Sequence, residues 1–226
     1  MNSYIIGLID EDSTDIDFIK RTILINKPND ITDGQVDFWE SPLPENSFDD
    51  IVKRIIEAIT NEKIHMMIID YKIVVSTKSY EGTTIFKQLS EIVPKFPIIM
   101  LSNLSGDCHS KEYVDSDKVY SKRDFFKIES QYSKDKVFNI FRNMEKYINQ
   151  RAKLTTELVK QLERWENDGY SADSLQSIVE VEKDLDNYTP QNQNTVEKAL
   201  DLTELKKAVD ILKNVQDLIG GGQNED

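Results

Sequence analysis

The chain has 226 residues, enough to bury a full core and leave room for a second unit, and its 28 Lys and Arg stand against 41 Asp and Glu for a net charge of −13. The deficit is −8 over residues 1–132 and −5 over the remainder, so neither part offers the basic footprint that duplex DNA, RNA or an anionic membrane requires. The single Cys108 excludes an internal disulfide, the apolar runs are strand-sized, and no charged-then-apolar leader opens the sequence, which therefore reads as cytoplasmic.

In chain order, apolar runs predict strands at YIIGLI (4–9), QVDFWE (35–40), IHMMII (64–69), PIIMLS (97–102) and KVYS (118–121). Between them, Ile16, Ile19, Ile23 and Leu24 recur at helical spacing, as do Ile51, Ile55, Ile56 and Ile59, and then Ile85, Phe86, Leu89 and Val93. Strand and helix alternating in this way imply an α/β fold with a parallel sheet covered on both faces. The polar stretch SGDCHSKEYVDSD before the fifth strand predicts only a small or irregular fourth helix. From residue 133 the pattern changes. Val137, Phe141, Met144, Ile148, Leu154, Leu158, Leu162 and Trp165 predict one long amphipathic helix over 133–167. NDGYSAD stops it, a second helix carries Leu175, Ile178, Val179 and Leu185, and a third follows over 194–219 before a flexible tail at 220–226.

In an open parallel sheet, ligands bind beyond the carboxyl ends of the strands, so the residues that end each strand are the informative ones. They are Asp10 and Glu11 after the first strand, Asp70 after the third, Ser102 in the fourth and Lys122 after the fifth. Adjacent acids repel one another unless something neutralises them, and a hard divalent cation such as magnesium takes one or two carboxylates plus a phosphate oxygen. Acids at the start of a helix also satisfy its free N–H groups, a role that suits Asp12 or Ser13 and leaves the convergence with Asp70 and Lys122 unexplained. The other reactive side chains read as structural. His65 alternates within a strand, His109 and Cys108 lie in a polar loop, and Trp39 and Trp165 are packing residues.

These five positions, in this order on these strands, resemble the receiver domain of two-component response regulators over about residues 3–132. The resemblance implies a doubly wound five-stranded parallel sheet of flavodoxin-like order, with an α-helical C-terminal extension. It implies that Asp10 and Glu11 hold magnesium together with Asp70, and that Asp70 accepts a phosphoryl group from a histidine kinase or phosphotransfer protein. Ser102 and Lys122 would then bind the phosphoryl oxygens, and beyond this chemistry the protein would not be an enzyme. The chain departs from the family pattern in four places. No Met-Pro pair follows Asp70, a long loop over 71–81 precedes Gly82, Arg123 replaces the usual Pro after the lysine, and Val119 stands where a Tyr or Phe is usual. A pseudo-receiver that keeps the pocket without the relay is one alternative. DEDST also matches the Asp-x-Asp-x-Thr signature of haloacid dehalogenase-like phosphatases, with Asp10 as nucleophile and Asp12 as its acid. The expected organisation is a receiver at 1–132 and, at 133–219, a helical module that docks a downstream protein or forms a homodimer, with no nucleic-acid or membrane role.

Overall fold

A computed structural model describes residues 3–41, 48–75, 78–103, 116–167 and 172–190. Its centre is a five-stranded parallel sheet of β1 (Tyr4–Ile9), β2 (Val36–Glu40), β3 (Met66–Asp70), β6 (Ile98–Ser102) and β7 (Val119–Ser121), in the spatial order β2-β1-β3-β6-β7. The central strands β3 and β6 are almost continuously apolar because helices cover both of their faces. One face packs on α1 (Ser13–Asn26) through Ile19 and Ile23, and on α5 (Gln131–Asn167) through Val137, Ile140, Phe141 and Met144. The other packs on α2 (Phe48–Thr60) through Ile51, Ile55 and Ile59, and on α3 (Gly82–Ile92) through Ile85, Phe86 and Leu89. Alternation within β1 divides its side chains between the two layers, Ile6 and Leu8 facing one and Ile9 the other. The fully buried isoleucines of α2 are worth about 1.5–3 kcal/mol each, so its three-four spacing is what ties it to the sheet.

The five predicted strands and the three predicted helices that follow the first three of them are present to within a few residues, and the third strand runs on to include Asp70. The predicted loop over 71–81 is instead an antiparallel hairpin of β4 (Lys72–Val75) and β5 (Lys78–Glu81), with Ile73 fully buried in the core. Its β-branched Ile73, Val74 and Val75 favour a pleated conformation, and α3 starts at the residue that follows β5. The Lys122–Arg123 bond is trans, and Lys122 opens a single-turn helix, α4 (Lys122–Phe125), in which the Ser121 hydroxyl accepts the Asp124 N–H at 3.3 Å. His65 is structural: its Nδ1 accepts the Ile5 N–H at 3.1 Å while its backbone N–H donates to Ile5 O at 2.8 Å. The expected small fourth helix, His109 and Cys108, and the third C-terminal helix with its tail lie outside the described residues.

The chain divides into two compact units. The first holds residues 1–150 together with 187–190, and the second holds 151–186 and 191–226. Within the first, the segment after α6 (Ala172–Leu185) is fastened by backbone and ring contacts. Asn187 O accepts the Lys95 N–H at 2.9 Å, and Tyr188 O accepts the Tyr147 hydroxyl at 2.7 Å. The Tyr188 ring stacks on Tyr147, which meets Phe96 edge-on. In the second unit, the turns of α5 beyond residue 150 leave Val159 and Leu162 exposed, while Ile178 of α6 is buried. No helix among the described residues is long and apolar enough to cross a membrane.

Candidate functional site

All five strands run parallel, so their carboxyl ends lie on one edge, and the chain delivers its charged residues there one strand at a time. β1 ends at Ile9, which puts Asp10 just past the sheet and leaves Asp12 to cap α1, its side chain accepting the Thr14 N–H at 2.8 Å. β3 ends on Asp70 itself, and β7 hands directly to Lys122 at the first position of α4. Lys122 is buried, and its ammonium meets three carboxylates: Asp10 Oδ2 at 2.7 Å, Asp70 Oδ1 at 2.8 Å and Asp15 Oδ2 at 2.6 Å. The second oxygens of two of these acids are fixed by backbone. Asp10 Oδ1 accepts the Asp12 N–H at 3.0 Å, and Asp70 Oδ2 accepts the Lys72 N–H at 2.9 Å, from the first residue of the hairpin.

An ammonium has three N–H donors, and here three anionic acceptors surround it at hydrogen-bonding distance. Burial works against the charged form of Lys122, but its bonds to Asp10, Asp15 and Asp70 outweigh that cost and hold its pKa above the ordinary lysine value. Burial dominates at Asp10 instead, and its carboxyl is pushed up to about 6 although Lys122 and the Asp12 N–H pull it down. Asp12 is exposed, and its bond to Thr14 lowers its pKa.

One oxygen from each of Asp10, Glu11 and Asp70 lies within 4.8 Å of the other two. Three convergent carboxylates are a hard, all-oxygen donor set of the kind that suits a divalent cation rather than a soft metal. The raised pKa of Asp10 gives such a site a pH signature. Because the folded pKa exceeds the unfolded value of 3.8, ionising Asp10 costs stability above about pH 6, and that cost disappears as the pH falls toward 4. A cation needs the ionised form, so its apparent affinity is expected to weaken roughly tenfold per unit as the pH drops below about 6. Calorimetric titration with magnesium at pH 7.5 and pH 5 measures this, and equal affinity at both would remove Asp10 from the ligand set.

Of the residues expected from the sequence, Asp10, Glu11, Asp70 and Lys122 are brought together. Ser102 is buried at the end of β6, one residue past Leu101, the register partner of Asp70, and so lies on the same edge of the sheet. Two contributors were not foreseen. Asp15 sits one turn into α1, three residues after its cap, and a search confined to strand ends passes over it although three-residue spacing keeps it on the same helix face. Gly82, which in the sequence only closes the loop over 71–81, is the other. A Cβ there would lie 2.0 Å from Asp70 O, so only glycine lets α3 start against the backbone of Asp70. No family model matches the chain, and a search of curated proteins finds no match.

Proposed function

We propose that this chain is a phosphoryl-accepting receiver of doubly wound, flavodoxin-like order, in which Asp70 takes a phosphoryl group from a histidine kinase or phosphotransfer protein. The observation that carries this reading is the buried Lys122 ammonium bonded at once to Asp10 and Asp70, which together with Glu11 bring three carboxylate oxygens within 4.8 Å of one another. Asp10, Glu11 and Asp70 would hold magnesium, which supplies charge neutralisation for an anionic phosphoryl group. Asp70 is held by the Lys72 N–H and by Lys122, so its carboxylate is oriented before any donor arrives. One of its oxygens bonds to phosphorus as the bond from phosphorus to the leaving group breaks, and the leaving group carries away the electron pair. Lys122, and Ser102 as a hydroxyl donor, would then bond the oxygens of the transferred group.

The phosphatase alternative needs Asp12 as a protonated acid in the pocket. Asp12 is instead an exposed helix cap with a lowered pKa, which argues against that role. The acidic balance also disfavours a nucleic-acid output; since α5 packs on the sheet up to about Gln150, the helical residues beyond it would be the output, acting on a protein partner or a second copy. Incubation with acetyl phosphate and magnesium is expected to add one phosphoryl mass to the wild type and none to Asp70→Asn. Light scattering on the same samples reads whether modification changes self-association. A folded wild-type protein that takes up no phosphate and no beryllofluoride would be a pseudo-receiver, and the relay would be struck from the account.

A further inference from the structure

Three carboxylates crowd the Lys122 ammonium. It donates to Asp10 at 2.7 Å and to Asp70 at 2.8 Å and is ion-paired with Asp15 at 2.6 Å, and a phosphoryl oxygen on Asp70 reaches it only by displacing one of them. The three are not equivalent. The Asp10 side chain is 2 % exposed and fixed through its other oxygen by the Asp12 N–H, while Asp70 is 11 % exposed and fixed by the Lys72 N–H. The Asp15 side chain is 25 % exposed, and among the described residues its carboxylate has no bond besides the one to Lys122. It is therefore the partner that leaves at the least cost, since water replaces what it loses. It also sits where the helix start favours a negative charge, which is the purely structural explanation for an acid at this position. That explanation accounts for the residue type but not for its 2.6 Å bond to the buried lysine.

We propose that Asp15 is a built-in competitor for the phosphoryl group: its carboxylate occupies the place on Lys122 that a phosphoryl oxygen would take, and it must swing toward solvent before Asp70 can be phosphorylated. The proposal rests on the receiver reading above and adds a regulation of the same site. Asp15 also brings a further negative charge to a pocket that already holds Asp10, Glu11 and Asp70 against a single ammonium. An anionic donor thus meets both an occupied lysine and a more negative field, and removing the charge relieves both. Asp15 does not react itself; it controls access to Lys122.

The test compares wild type, Asp15→Asn, Asp15→Glu and Asp70→Asn in full-length protein, following phosphate mass with acetyl phosphate and magnesium, and beryllofluoride binding. Asp15→Asn is expected to be modified roughly tenfold faster and to bind beryllofluoride more tightly by a similar factor, because the amide keeps the shape and loses the charge. Asp15→Glu, which retains the charge, is expected to stay near the wild-type rate. An acid needed only to start α1 or to hold Lys122 in place would give the opposite sign, since its removal would loosen the site and slow modification. Equal or slower modification of Asp15→Asn, with wild type modified at Asp70, overturns this proposal and leaves the receiver reading intact. Modification of neither protein, both folded, overturns both.

Discussion

Lys122→Met is expected to lower the unfolding free energy by about 3–5 kcal/mol in the absence of divalent metal. Methionine matches the lysine stem in volume, so the loss does not come from a cavity. It comes from leaving Asp10, Asp15 and Asp70 facing one another with their shared cation gone, and Asp10 and Asp70 are largely shielded from water. Millimolar magnesium is expected to restore more stability to this variant than it adds to the wild type, because the metal then carries the whole task of neutralisation. Urea denaturation with and without magnesium measures both quantities. A loss under 1 kcal/mol without metal would mean that the carboxylates reach water more easily than the geometry allows.

Gly82→Ala is expected to cost on the order of 3 kcal/mol, with Gly34→Ala as its internal control at under about 0.5 kcal/mol. A Cβ at Gly82 meets Asp70 O at 2.0 Å, Ile69 Cγ2 at 2.8 Å and the Asp70 carbonyl carbon at 3.1 Å, whereas one at Gly34 meets nothing within 4 Å. Two of the three obstacles are backbone and cannot swing away. The Gly82 N–H also donates to Tyr71 O at 2.6 Å, so a shift of α3 would disturb the chain immediately after Asp70. The variant is therefore expected to lose phosphate uptake along with stability. If denaturation shows the two glycines to be equally tolerant, the close approach of α3 to β3 is wrong.

The sheet was legible because burial on both faces leaves an almost unbroken apolar signature, as in MMII and IIML, and the covering helices because isoleucine repeats at three and four residues in α2. The site followed from the rule that strand ends face a common edge, which singled out Asp10, Asp70 and Lys122 before any distance was known. The hairpin escaped because KIVVSTKSYE lacks a clean alternation and its short strands pair only with each other. Asp15 escaped for a different reason: nothing in a linear sequence says that an acid one turn into a helix bends back to a lysine 107 positions later. The fastening of Tyr188 onto Tyr147 was equally invisible, since NYTP carries the composition of an ordinary loop.

That fastening changes how the molecule divides. Residues 151–186 are an excursion rather than a tail, because the polypeptide departs after Gln150 and is back within the first unit at Asn187, where Pro190 is buried. Topologically this is an insertion held at both ends, and the entropy of closing such a segment grows only slowly with its length, so added residues inside it are cheap. Ending the chain between Gln150 and Asn187 is not cheap: it removes the returning strap and bares the rings of Tyr147 and Phe96. The change that isolates the first unit is thus an internal excision, joining Gln150 to Asn187 through a short flexible bridge and ending the chain after Pro190, whereas a stop codon placed after Gln150 would yield a truncated protein with an open seam.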